Sequence, residues 1–202
     1  GHLDSTIHKN IQDVWFEFDR DQLYMELPVP CLFFSPRTLR NGSNLVINKE
    51  KLNVDWLLNL LLILLPKNRL TKELKENLIK CIEKLPPGGV IFQIGIMMSR
   101  TFNELRICTS MKADYYLSYL DKIAWAGPFD HLGDTIDNFK KYVDAFFLDF
   151  DIKEKVFQTL GIECCFRMGK DTLPKLNKFL DYLINRNLCT KEKARFIMSW
   201  CT

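Results

Sequence analysis

Two pairs of carboxylates and one single acid are the residues whose spacing could do chemistry. Glu17 and Asp19 stand two apart in the segment 12–19, Asp149 and Asp151 stand two apart in 146–152, and Glu163 precedes Cys164-Cys165. Side chains alternate between the faces of a strand, so each pair occupies one face. Brought side by side, such acids could hold Mg²⁺ or Ca²⁺, exchange protons in general acid–base work, or accept a cationic peptide. The simpler account is a half-solvated sheet whose acids turn outward and pair with Arg20, Arg106 or Lys153.

Nucleophilic chemistry has less to work with. Seven cysteines are present, at 31, 81, 108, 164, 165, 189 and 201, and several sit inside apolar runs. An odd number of thiols in apolar surroundings reads as buried, reduced cysteine in a cytoplasmic protein. No C-x-x-C occurs, and the adjacent pair Cys164-Cys165 is poorly spaced for one tetrahedral zinc. His2 and His8 lie near the start, and nothing beside His131 in the sequence would activate it. Gly88-Gly89 lacks the spacing and the lysine of a phosphate-binding loop. No catalytic residue, metal or cofactor is expected, and an enzyme is the weaker expectation.

Recognition has more candidates. Arg100 and Arg106 could clamp a carboxylate with paired hydrogen bonds. Trp15, Trp125, Phe129 and Trp200 fall near loops or on the wetter face of a strand, where an aromatic can anchor a peptide. A strand edge such as 31–34 could accept an extended peptide as an added strand. The expected peptide-binding set is Trp15, Glu17, Asp19, Arg100, Arg106, Trp125, Asp149, Asp151 and Glu163.

These residues must be positioned by a folded core. The chain has 202 residues, 47% of them hydrophobic and 26% charged, with a net charge of +3. That balance belongs to a globular protein, and the charge is too mild and too dispersed to argue for nucleic acid. The longest apolar run, 54–65, is interrupted by Asp55 and Asn59 and falls short of the ~20 residues a membrane span needs. Neither nucleic acid nor a membrane is expected as a partner. The opening Gly1-His2 has the look of a tag remnant, with a flexible N-terminus over 1–11 and one α+β domain over 12–202. The alternative is two subdomains joined near 86–89.

In 12–19, Val14, Phe16 and Phe18 alternate with Trp15, Glu17 and Asp19, which predicts a strand whose first set forms the dry face. Further strands are expected at 31–34, 90–98, 104–109, 146–152 and 162–166. Helices are expected at 53–65, 71–85, 113–123, 134–142, 174–183 and 191–200, with Thr71 and Thr190 as caps. Strands thus come in pairs separated by helices. The predicted fold is α+β, a mixed or antiparallel sheet of paired strands with helices packed mainly on one side.

Several phrases taken in order carry a resemblance: Trp15-Phe16-Glu17-Phe18-Asp19, Pro30-Cys31-Leu32-Phe33-Phe34, Gln93 through Arg100, Leu105-Arg106-Ile107-Cys108, Trp125-Ala126-Gly127, Phe147 through Asp151, and Leu160 through Cys164. Tyr119-Leu120, and Asn187-Leu188-Cys189 ahead of Trp200, complete the series. The order resembles a family of bacterial proteins encoded in clusters for ribosomally synthesised, post-translationally modified peptides, of the crocagin type. The resemblance spans most of the chain from Trp15 to Trp200 and implies a non-catalytic protein that binds a precursor peptide and forms a homodimer. It is a pattern of strand cores and carries no catalytic residue across. That family has a glycine near the final tryptophan and a further segment, where this chain reads Trp200-Cys201-Thr202, so nothing located in such a segment is carried over. Two other expectations stand beside peptide binding: a small carboxylate-dependent enzyme, metal-assisted or not, using Asp149, Asp151 and Glu17, and a plain dimerisation module.

Overall fold

The computed structural model describes residues 9–18, 29–37, 54–65, 69–99 and 104–200. The chain divides into two compact units, Gly1–Gly127 with Phe147–Gly161, and Pro128–Phe146 with Ile162–Thr202. The Pro86–Gly89 turn lies inside the first unit.

Six strands form one antiparallel sheet in which every strand lies beside its neighbour in sequence: β1 (Ile11–Glu17), β2 (Cys31–Pro36), β3 (Val90–Ile96), β4 (Leu105–Ser110), β5 (Ala145–Ile152) and β6 (Val156–Cys165). The chain passes from one unit to the other within β5 and again within β6. Between the strands run α1 (Val54–Leu64), α2 (Lys72–Glu83), α3 (Tyr116–Lys122) and α4 (Leu132–Phe139), and after β6 come α5 (Thr172–Asn185) and α6 (Lys191–Ser199). An α+β fold with an antiparallel sheet is therefore what the sequence builds.

In the first unit the strand register explains the core. Phe34, Ile94, Ile107 and Phe150 stand opposite one another across β2 to β5, and the next row on that face is Leu32, Ile96, Leu105 and Ile152. These aliphatic and aromatic side chains make an apolar layer that the helices cover. Trp56 and Leu57 of α1 meet Ile82 of α2 and Ile91 and Ile94 of β3 around one small apolar gap. Tyr119 of α3 packs its ring 6.3 Å from Phe150 and donates its hydroxyl to the carbonyl of Cys81 in α2, at 2.9 Å. Thr71 caps α2 by accepting the Leu74 N–H at 3.2 Å, so the capping residue read from the sequence holds. No helix among the described residues is long and apolar enough to cross a membrane.

The second unit packs α4 and α5 through aromatic rings. Phe139 meets Phe179 edge-on at 5.1 Å, and Tyr142 stacks on Tyr182 at 5.1 Å. α5 ends where Asn187 takes a positive φ of 58° and the Leu188 N–H returns to the Leu183 carbonyl at 2.8 Å. Asparagine tolerates that left-handed position better than most residues, which is why the turn into α6 falls there. Thr190 then caps α6 by accepting the Lys193 N–H. β6 is longer than its sequence pattern, starting at Val156, because its first half alternates weakly while still pairing beside β5.

One expectation about β1 is reversed. Val14, Phe16 and Phe18 are 52%, 59% and 46% exposed, whereas Trp15 is half-buried. β1 is the outermost strand, so its apolar set continues the helix-side rows beyond the reach of the helices packed on β2 to β5. Trp15 instead lies on the opposite face against the buried cluster of Cys31, Phe33 and Met97.

Candidate functional site

The register sets five residues in one row across the sheet, on the face away from α1 to α3: Trp15, Phe33, Gly95, Arg106 and Asp151, one from each of β1 to β5. At its β1 end the Trp15 and Phe33 rings lie parallel, 5° apart in plane, with centroids at 5.8 Å. The Phe33 ring occupies the space above Gly95, where a Cβ would collide with it. This glycine is required for the close approach of the ring.

The other end of the row is ionic. Arg106 Nε donates to Asp151 Oδ1 at 2.9 Å and its terminal nitrogen donates to Asp151 Oδ2 at 3.1 Å, a bidentate pair. Asp149, two residues back on the same face, holds Oδ2 3.8 Å from Arg106 Nε. Burial works against the Arg106 charge, but the hydrogen bonds it donates to Asp151 and the charges of both aspartates outweigh it and keep the guanidinium ionised beyond its ordinary range. Gly161 on β6 leaves room for Asp149, since a Cβ there would meet both carboxylate oxygens. Arg106, Asp149 and Asp151 are thus brought together as a part-buried ion-pair network, and the sequence reading that allowed Arg106 to pair with the strand acids is the one that describes them.

The acids do not converge into one site. β1 and β5 are separated by three strands, four spacings of about 4.8 Å or about 19 Å in all. Glu17 shares the face of Asp149 and Asp151 but stands at the far side of the sheet. Glu163 is exposed on the part of β6 that belongs to the second unit. Among the described residues no three His, Cys, Asp or Glu side chains gather as metal ligands.

Comparison with protein families, curated proteins and solved structures finds no match.

Trp125 is corrected too. It is 7% exposed, and its ring fills the space over Gly127 so closely that a Cβ at that position would collide. It is a core residue of the first unit and presents no anchor. β2 is likewise not an edge, because β1 and β3 flank it. Among the described residues the edges of the sheet are β1 and β6. Asp19 and Arg100 lie outside the described residues.

Among the thiols, burial pushes Cys81 up to about 12 and Cys164 up to about 11, and it also raises Cys165, so none of these is a ready thiolate at neutral pH. Cys31 sits 2.8 Å from the Ser99 hydroxyl. His131 is exposed immediately before α4. In the second unit an open cleft of about 710 Å³ runs between α5 and α6 over Leu180, Ile184, Ala194 and Met198, and none of the expected site residues lines it.

Among the described residues the β1 edge is accessible. Val14, Phe16 and Phe18 project from one face of it, while Asp13, Trp15 and Glu17 project from the other, and both acids are exposed. The sequence contained this pattern in full. The missing signal was the strand order that leaves β1 outermost.

Proposed function

We propose that this protein is a non-catalytic peptide-binding accessory that takes an extended segment as an added strand along β1. The observation that carries this reading is the exposure of Val14, Phe16 and Phe18 at period two on a strand at the end of the sheet. An outer strand offers a row of backbone donors and acceptors to a new strand, and side chains at alternate positions give the contact its selectivity. The resemblance to proteins of modified-peptide clusters suggests a precursor peptide as the segment bound.

Support for a carboxylate-dependent enzyme is weaker. Its acids are either engaged with Arg106 or separated by the breadth of the sheet, and a general base must reach the proton it removes.

Selection from a displayed library of random peptides tests the reading. Enriched peptides should bind the wild-type protein and lose binding to a Val14→Ser/Phe16→Ser variant. If no peptide is enriched whose binding depends on these positions, the reading fails. A short precursor peptide encoded beside the gene should give saturable heat in calorimetry, and its failure to do so would remove the precursor assignment.

A further inference from the structure

We infer that the segment taken by β1 is a cationic, alternating one, with Lys or Arg on one face and apolar side chains on the other. This rests on the β1 edge being the binding site, as proposed above, and adds the chemistry of the partner. A strand laid beside β1 has the same period of two, so its side chains divide between the two faces as those of β1 do. On the helix side they meet Val14, Phe16 and Phe18, which are exposed and apolar. On the opposite face they meet Asp13, Trp15 and Glu17, in which an aromatic ring stands between two carboxylates.

Each feature of that second face favours a positive side chain. A cation placed beside Trp15 lies within reach of Asp13 and Glu17, two residues to either side on the same strand, and can rest on the indole ring. Trp15 is held ready for this, because its own ring is stacked parallel on Phe33 and needs no rearrangement. A negatively charged or purely apolar strand would gain nothing there and would bring like charge or desolvation against the two acids.

The same acids argue against a second copy of this chain as the occupant. Antiparallel pairing of two β1 strands about Trp15 matches Val14 with Phe16, but it also sets Asp13 against Glu17 at both ends. Like charges opposite one another destabilise a strand pair. The pairing irregularity between Ile11 and Asp13 and the end of β1 at Glu17 confine the regular edge to the stretch from Asp13 to Glu17, with Phe18 just beyond it.

Binding of three fluorescent peptides, each about seven residues long to match a strand, tests the inference. One alternates Val and Phe with Lys, one alternates them with Glu, and the third contains the residues of the first with its lysines in one block. The Lys peptide should bind about tenfold or more tightly than the Glu peptide at low salt, and the gap should narrow as salt rises. The blocked peptide should bind more weakly than the alternating one. Asp13→Asn/Glu17→Gln, both at exposed positions, should keep the thermal melt and lose most of the preference for lysine. If the Glu peptide binds as well as the Lys peptide, the cationic partner is overturned while the β1 edge stands. If both peptides bind equally well to the Val14→Ser/Phe16→Ser variant, or neither binds the wild type, the edge reading falls and takes the inference with it.

Discussion

Gly161 makes the space in which the Asp149 carboxylate sits. A methyl group at 161 would meet both of its oxygens, and Asp149 stands in turn beside Arg106. Gly161→Ala should therefore force the carboxylate to shift and disturb the ion-pair network, destabilising the first unit by about 1–3 kcal/mol. Urea unfolding followed by tryptophan fluorescence measures it. A change within about 0.5 kcal/mol, the usual range for a neutral surface substitution, would show that Asp149 has another place to go.

The bidentate pair between Arg106 and Asp151 predicts strong non-additivity. Arg106→Met leaves Asp151, which is 4% exposed, without its counter-charge. The loss should be about 3 kcal/mol. Adding Asp151→Asn should recover part of it, since the neutral amide needs no cation. The four stabilities of the double-mutant cycle measure the coupling, and additive losses would contradict the geometry.

Adjacent positions on β1 should behave oppositely. Trp15→Ala removes the ring stacked on Phe33 and should cost about 2–3 kcal/mol, discounted from a fully buried aromatic because Trp15 is only half-buried. Phe16→Ser, at a position 59% exposed, should change stability by less than about 0.5 kcal/mol. Thermal melts of the two variants decide this, and a large loss at Phe16 would mean its ring is covered in solution.

Asp144 supplies a pH test in the second unit. Its hydrogen bond from Lys175, with that from the Arg167 backbone N–H, holds the carboxyl below the usual carboxylate range. A carboxyl depressed by folding adds stability above its unfolded-state value, and that contribution disappears as pH falls through the folded-state value. Asp144→Asn should accordingly be less stable than wild type near neutrality, with the gap closing in acid. Melting curves from pH 7 down to the acid limb measure the gap, and a difference independent of pH would assign the effect to packing.

The thiol of Cys81, raised by burial to about 12, should resist alkylation at pH 8 in the native state and react readily in urea. Peptide mass mapping after iodoacetamide treatment provides the readout. Native labelling at Cys81 would place it within reach of solvent.

Much of the fold was legible because local signals agreed with one another. Thr71 and Thr190 mark helix starts through their hydroxyls, and the Val90–Ile96 run is apolar enough to be a central strand whatever surrounds it. Face-sharing within a strand was legible for the same reason, so Asp149 and Asp151 were correctly set together. Lateral order was not. Whether Val14 and Phe16 are covered depends on what lies beyond β1, and alternation is the same for a stripe under a helix and a stripe in water. The separation of Glu17 from Asp149 follows from the same order. Trp125 was misjudged because a loop tryptophan followed by Gly127 looks accessible, yet the glycine is what lets the ring fold inward over the backbone.

The sheet is a succession of sequence neighbours, but its joints differ in chain length. β3 and β4 are linked by a short stretch and β4 and β5 by the passage that carries α3 and α4, while β2 and β3 are separated by the longest passage, which carries α1 and α2. Closing a longer loop costs more entropy, so docking of the β1–β2 pair should be the slow step in refolding. Until it docks, the flank of β3 that bears Ile94 and Ile96 is an open template for intermolecular pairing. Refolding yield should therefore fall with protein concentration, and dilution should recover it.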